Sequence, residues 1–469
     1  MGKIKITIED LFNIPGAVIY NPDSYKPLRH VEIDSRKIEK GSLFVAIKGE
    51  KYDGHDFILD ALKKGAKAVV IDSRKLKKFS FLEIPLITVD DTIRAYGELA
   101  KIWRNKLSAK VIAITGSNGK TSVKEMISTL LENKLKVVKT ESNNNNHIGV
   151  PLTIFSADEK CDVLILEHGT NHFNEIEYTA NISRPDFALI TNIGDSHLEF
   201  LKNREGVYRE KSSLLDITEM HGGKVLLNTD DPIIKKYSKN YWNKISYGFN
   251  GKVDIKGKIL GYTRDGKSRV QLKSETLSFA FREGFGDFTL PVYGTTNAYN
   301  FLAASAVAVS IGLSSKEIKQ QAQKIISVHG RLNVKNYKQA VIIDDTYNSS
   351  PVSVKAAIDL VNRIKTFKRK IFVLGDMFEL GKNAAKYHKD LAVHFSQNKN
   401  LFVLTSGNLM KSLNKSLRKK KIKSIHFHIR EALALYLKYE EIENSVILVK
   451  GSRGMKMEEF VNILEKRFE

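Results

Sequence analysis

The eight residues Thr115 to Ser122, TGSNGKTS, limit what this chain can be more than any other stretch. They follow the β-branched run AKVIAI and open into KEMISTLLEN, whose apolar residues recur with a helical period. A strand that turns through glycines into a helix leaves backbone N–H groups facing inward, with the positive end of the helix behind them. That arrangement cradles phosphate. Lys120 has the reach for the β- and γ-phosphates, and the Thr121 hydroxyl is a ligand suited to Mg²⁺. Gly116, Ser117, Asn118, Gly119, Lys120, Thr121 and Ser122 are therefore the expected nucleotide contacts. The usual phosphate loop places a glycine five positions before Gly119. Ile114 stands there, so this loop is the shorter G-x-x-G-K-T and departs from typical motors, GTPases and helicases.

Around this loop the chain reads as α/β in three regions, 1–95, 96–326 and 327–469. The first holds SLFVAI and DFILDALKKGAKAVVID, a strand followed by helix and strand. In the second, DVLILE, DFALIT and KVLLN are buried-strand candidates between helical patterns, which predicts a parallel sheet with helices on both faces. Gly251 to Pro291 alternates polar and apolar residues between turn signals and reads as hairpins in or beside that sheet. In the third, AVIIDD, KIFVLG, LFVLT and SVILVK each precede helical sequence, as expected of a second doubly wound domain.

Composition narrows the class further. A single cysteine, Cys161, excludes an internal disulfide and suits a reducing cytoplasm. No stretch is long and apolar enough to span a bilayer, and the amino terminus lacks a signal-peptide core. The 75 basic and 53 acidic residues leave a net charge of +22, which raises nucleic acid, membrane surface or anionic substrate as partners. The lysines are scattered except in KSLNKSLRKKKIKSIHFHIR, Lys411 to Arg430. That cluster has little aromatic interleaving and reads as a solvated basic surface, so no nucleic-acid partner is expected.

Several further motifs occur in order: DSRKIEKGSLFVAIKGEKYDGHDF, NNNNHIGVPLTI, EHGTNHFNEI, RPDFALITNIGDSHLEFL, GTTNAYNFLAA, DDTYNSSPVS, LGDMFELG and KGSRGMKMEE. Together with the short phosphate loop they resemble the Mur ligases, the ATP-dependent amide-forming enzymes of bacterial cell-wall precursor synthesis. The last four resemble the branch that adds D-alanyl-D-alanine to UDP-N-acetylmuramoyl-tripeptide. The resemblance implies a uridine-nucleotide domain, a central ATPase domain and a Rossmann-like C-terminal domain. It also implies a cytoplasmic enzyme, and a monomer is expected. Its cofactors would be ATP and Mg²⁺, and its partners the UDP-linked tripeptide and the dipeptide, with no integral membrane contact.

The resemblance also implies residue roles. A carboxylate is a poor electrophile, so ATP first converts it to an acyl phosphate that the amine attacks; such a site needs dense positive charge. Thr121 and Glu167 would serve a metal between the ATP phosphates. His197 would help hold a second metal, and Lys211 falls on the lysine that the family carbamylates with CO₂, turning a cation into an oxygen ligand. Asn297 matches an adenine contact, with Thr296 where histidine is frequent. Arg331, preceded by His329 in place of proline, and Asp345 match phosphate or ribose contacts. Asn143, Asn145 and Asn146 would line the sugar–peptide substrate, while Asn348, Lys450, Ser452 and Arg453 would serve the dipeptide. Ser35 and Arg36 would meet the uridine diphosphate. His388 matches a family position, though its helical setting also fits a solvated face. His168 stands where the pattern has leucine. Another Mur-type ligase, or a folylpolyglutamate synthase, is the nearest alternative, and a basic nucleic-acid-binding NTPase a more distant one.

Overall fold

The computed structural model describes residues 4–274 and 285–469. Its strands form three sheets. The first comprises β1 (Val18–Tyr20), β2 (His30–Glu32), β3 (Ser42–Val45), β4 (Ala66–Asp72) and β5 (Leu86–Val89), in the order β1-β5-β4-β3-β2. Only β1 runs antiparallel to its neighbour, so the loops after β2, β3 and β4 leave the same edge. Ser35, Arg36 and the segment 48–57 therefore share one rim.

The central sheet has nine strands: β6 (Lys110–Thr115), β7 (Val137–Lys139), β8 (Val163–Glu167), β9 (Phe187–Ile190), β10 (Lys224–Asn228), β11 (Lys244–Gly248), β12 (Ile255–Tyr262), β13 (Lys267–Ser274) and β14 (Phe285–Tyr293). Their order is β14-β13-β12-β11-β10-β9-β6-β8-β7. From β7 to β12 the pairing is parallel, and β13 and β14 extend the edge antiparallel. The hairpin reading of 251–291 thus places those strands within the sheet; its segment 275–284 lies outside the described residues. A parallel sheet buried on both faces explains the near-continuous apolar runs of β6, β8 and β9. The helix Lys120–Leu131 and the helix Gly294–Ile311 pack on one face, in a core that includes Ile112, Val123, Ile127, Phe301 and Leu302.

The third sheet comprises β15 (Asn333–Asn336), β16 (Ala340–Asp345), β17 (Arg369–Gly375), β18 (Leu401–Ser406), β19 (Ser424–Phe427) and β20 (Ser445–Lys450), in the order β15-β16-β20-β17-β18-β19. All four strands anticipated in this region are present, and β16, β17, β18, β19 and β20 are parallel. The connections run outward from β16 to β17, β18 and β19 and then return to β20, which lies between β16 and β17, and ligands of open α/β sheets bind outside the strand ends where the winding switches. Among the described residues no helix is long and apolar enough to cross a membrane.

His168, directly after β8, is fully buried, with Nδ1 2.8 Å from Thr179 Oγ1. Burial alone pushes its pKa down to about 3, so the ring stays neutral and fills the slot that leucine fills in the motif. In the unfolded chain a histidine titrates near 6.5. Between about pH 6.5 and 3 the unfolded state therefore binds a proton that the folded state refuses, and stability falls as pH falls. Urea denaturation of the wild type and His168→Leu across that interval should show a shallower acid loss in the variant. Equal slopes would contradict a buried neutral ring.

Candidate active site

The phosphate loop closes through two glycines that nothing else can replace. Gly116 has φ +147°, and a Cβ there would lie 1.9 Å from Thr191 Oγ1. Gly119 has φ +87°, and its Cβ would lie 2.5 Å from Asn300 Oδ1. The loop is stapled to the segment after β9: Asn118 N donates to Asn192 Oδ1 at 3.1 Å, Gly194 N donates to Ser117 Oγ at 2.9 Å, and Thr191 Oγ1 donates to the Asn118 carbonyl at 2.6 Å. Lys120 opens the helix, and its Nζ donates to the Gly116 carbonyl at 2.8 Å. Burial lowers the Lys120 pKa, Glu167 opposes that shift and Arg331 adds to it. Arg331, from the C-terminal part of the chain, is therefore close enough to Lys120 for its charge to be felt.

Glu167 ends β8 and is buried. Its Oε2 accepts from Thr121 Oγ1 at 2.8 Å and its Oε1 from Asn145 Nδ2 at 3.0 Å. One carboxylate thus joins the phosphate loop to the asparagine run. The run itself is a tight turn. Asn145 N donates to the Asn143 carbonyl at 2.8 Å, and a Cβ on Gly149 would lie 2.2 Å from the Asn144 backbone. Asn146 Oδ1 accepts from Ile148 N and Gly149 N at the start of the following helix, which leaves only its amide Nδ2 for a ligand. Asn143 is exposed, and its side chain has no hydrogen-bond partner among the described residues.

Lys211 lies on the helix Arg204–Met220 and is almost fully buried. It has no hydrogen-bond or ion-pair partner among the described residues. Burial, reinforced by Lys120, holds its amine well below the usual lysine range, against the pull of Glu210 and Glu167. His197 has a left-handed backbone, φ +52°, and its Nδ1 lies 2.8 Å from Glu379 Oε2. Glu379 is itself left-handed at φ +61° and belongs to LGDMFELG in the C-terminal region. The motif was legible but this residue was not singled out, because only the fold brings it to His197.

Asp345 and Lys450 end the neighbouring strands β16 and β20 and pair with each other: Lys450 Nζ lies 2.6 Å from Asp345 Oδ2 and donates to the Asn348 carbonyl at 3.0 Å. Lys450 is almost fully buried, so one N–H at most remains for a ligand. Asp345 Oδ1 also accepts from Leu332 N at 3.1 Å. Asn348 Oδ1 accepts from Ser349 N, and Ser452 Oγ accepts from Phe378 N. Tyr347, which sequence reasoning passed over, lies under two guanidinium groups, with Arg331 4.0 Å and Arg453 5.9 Å from its ring centre. Arg453 is the exposed cation of the group. Ser350 Oγ donates to Asn118 Oδ1 at 3.2 Å, a direct link from the C-terminal sheet to the phosphate loop. Asn297 donates to the Tyr293 carbonyl and accepts from Asn300, whose amide touches Gly119.

Three expected residues lie away from this cluster. His388 is fully buried, not on a solvated face: Nε2 accepts from Met377 N at 2.9 Å and Nδ1 donates to the Ala384 carbonyl at 2.7 Å, so it braces the 376–379 loop. Ser35 and Arg36 sit on the rim of the first sheet, where Asp34 caps the turn and the Arg36 fork folds onto it at 2.8 and 2.9 Å. The same DSRK sequence recurs at Asp72 to Lys75, with Arg74 folded onto Asp72 in the same way.

Three family models match this chain: the Mur ligase family catalytic domain over residues 27–104, the Mur ligase middle domain over 114–308, and the Mur ligase glutamate ligase domain over 330–453. The chain belongs to the Mur ligase family. As a Mur ligase it is 32% identical to the UDP-N-acetylmuramoyl-tripeptide--D-alanyl-D-alanine ligase of Bacillus subtilis, covering 98% of both chains. The Escherichia coli protein of the same name is also 32% identical, with 99% of both chains covered. Among solved structures, MurF from Acinetobacter baumannii superposes with a TM-score of 0.86 at 27% identity, covering 99% of this chain and 100% of that one. MurF of Thermotoga maritima, solved in complex with ADP, superposes at 0.81 and 27% identity, covering 94% and 98%.

Thr121 and Glu167 present hard oxygen donors side by side, a pair that fits Mg²⁺. Among the described residues no group of three His, Cys, Asp or Glu is arranged around a metal position. A metal here would take its remaining ligands from phosphate and water, as Mg²⁺ generally does. Lys120→Ala removes the cation aimed at the phosphates while leaving the loop's glycine geometry in place. ATP-dependent turnover should fall by at least about a hundredfold, the scale of losing one charge-stabilising donor. Near-normal turnover would remove Lys120 from the site.

Proposed function

We propose that this Mur ligase joins D-alanyl-D-alanine to UDP-N-acetylmuramoyl-tripeptide at the expense of ATP, in peptidoglycan precursor synthesis. The observation that carries the reading is the chain Thr121–Glu167–Asn145, one buried carboxylate touching both the phosphate loop and the asparagine turn. The full-length similarity to ligases of that name supports the substrate pair. We take 1–95 as the domain that holds the uridine nucleotide on the rim carrying Ser35 and Arg36. Residues 96–326 form the ATPase and ligase core, and 327–469 carry the dipeptide side.

ATP phosphorylates the tripeptide carboxylate: a carboxylate oxygen bonds to the γ-phosphorus and ADP leaves. The dipeptide amine then attacks the acyl carbon, the amide bond forms and phosphate departs. Lys120 and Arg331 supply positive charge where the transferred group passes. Mg²⁺, held by Thr121 and Glu167, would offset the charge of the nucleotide phosphates. Asn297 with Asn300 shapes the base side of the loop, and Asp345 with Lys450 fixes the strand ends from which Asn348, Ser452 and Arg453 face the dipeptide. Asn143 is the free amide of the asparagine turn. The enzyme works in the cytoplasm as a monomer.

Lys211 is the residue we assign to carbamylation. Its neutral amine adds CO₂ and releases a proton, and the resulting carbamate would supply two oxygen ligands suited to a hard metal. Its burial without a counter-ion supports this, because carbamylation needs the neutral amine. The contact of His197 with Glu379 joins the central domain to the C-terminal domain, and we take movement of the latter to accompany binding.

Phosphate release should require the UDP-tripeptide and the dipeptide together and ignore added RNA. Release that proceeds equally without either substrate would overturn the ligase reading. Lys211→Ala should lose most activity, and added formate or acetate should restore part of it by filling the vacated oxygen positions. Lys211→Arg should not be rescued. Wild-type turnover by Lys211→Ala in CO₂-depleted buffer would remove the carbamate.

A further inference from the structure

The basic cluster of the C-terminal region is not spread over the surface. Helix Met410–Lys419 buries Met410, Leu413 and Leu417 against the third sheet and turns Lys411, Lys415 and Arg418 outward, at the spacing of one helical face. The edge strand β19 faces them. A cavity of about 330 Å³ lies between the two and is lined by these three cations with Asn414, Ser424 and His426. None of the three cations has an ion-pair partner among the described residues, and the Asp376 carboxylate accepts instead from the backbone N–H groups of Leu409 and Met410.

The neutral lining is built to receive something. Asn414 is nine-tenths buried, and its Oδ1 has no partner among the described residues. Ser424 Oγ and His426 Nε2 are buried and unpartnered in the same way. An amide end, a hydroxyl and a ring nitrogen left unpaired at one cavity are unusual, since buried polar groups are almost always satisfied. The His426 ring is held from its other side: Nδ1 lies 3.0 Å from Thr405 Oγ1, which itself donates to the Ile425 carbonyl. His426 Nδ1 is therefore the donor to Thr405, and Nε2 is presented to the cavity. His428 lies edge-on beside it, ring centres 4.7 Å apart.

We propose that this cavity binds a phosphate group, at a second anion site independent of the ATP-binding loop. Three unpaired cations call for more than one negative charge. A tetrahedral oxyanion offers enough acceptor oxygens to meet them together with the Ser424 hydroxyl, while Nε2, an acceptor in the tautomer set by Thr405, takes the hydroxyl of a singly protonated phosphate. Strands β17 and β18 separate this edge of the sheet from β20, where Lys450 ends, so the two sites do not share ligands. The phosphate is carried either by a soluble phosphomonoester or by a lipid headgroup. The cavity chemistry is the same for both.

The test uses full-length protein and imidazole NMR signals, with His426 and His428 assigned through His426→Gln and His428→Gln. Titration with glycerol phosphate should shift both signals saturably. The charge-removing variant Lys411→Gln/Lys415→Gln/Arg418→Gln should weaken that binding at least tenfold while leaving ligase turnover intact, which also shows that it is folded. Ser424→Ala, a smaller change, should weaken it measurably. Vesicles of phosphatidylcholine with and without phosphatidic acid identify the carrier. Stronger binding to the acidic vesicles than to glycerol phosphate assigns the headgroup, and the reverse assigns the soluble ester. Shifts that are absent, that persist unchanged in the triple variant, or that arise only with RNA would overturn the site.

Discussion

The carboxylate of Glu167 is the interaction on which the rest of the site depends. It is buried at the end of a central parallel strand, and it accepts one bond from the phosphate loop and one from the asparagine turn. A buried carboxylate survives only when its oxygens are met by donors or cations. Thr121 and Asn145 meet them here, with Lys120 close enough to feel the charge. The nucleotide side and the peptide side are therefore not two sites placed near each other. They are two sets of ligands to one anion, and moving either disturbs the other.

The site also gathers positive charge that the protein alone does not neutralise. Lys120 feels the charge of Arg331, and beside them the buried amine of Lys211 is held well below the usual lysine range and has no partner among the described residues. Anionic substrates are the natural complement to such a cluster. The C-terminal sheet reaches it through Ser350 on Asn118 and Glu379 beside His197, while Tyr293 of the central region packs into the C-terminal core with Leu332 and Leu360. By contrast, Asp345 and Lys450 form a buried pair that holds two strand ends together, where removing one partner strands the other at a cost of about 3–5 kcal/mol.

The parts of this arrangement written in local sequence were legible. The phosphate loop, its strand and helix, and the apolar strands of the central and third sheets follow from periodicity and glycine placement. Glu167 was visible as a strand-end acid, and its role came with the motif around it. What remained hidden depends on contacts between distant segments. Glu379 carries no local mark that links it to His197, 182 positions away in the chain. Tyr347 reads as an ordinary loop aromatic until Arg331 and Arg453 flank it. Asn146 and His388 match motif positions, and only the fold shows that the Asn146 oxygen also receives the first N–H groups of a helix and that His388 braces a buried loop rather than a solvated face. Lysine runs likewise look solvated in sequence, and only the facing edge strand makes a cavity of this one.

The role of Glu167 is tested most directly by Glu167→Gln, which keeps the shape and much of the hydrogen bonding but removes the charge. Turnover measured against Mg²⁺ concentration, with thermal unfolding as the check on folding, separates the two contributions. A shared metal-binding anion predicts a folded variant whose turnover falls at least about a hundredfold and whose half-maximal Mg²⁺ concentration rises. A folded variant with wild-type turnover and an unchanged Mg²⁺ dependence would contradict the account.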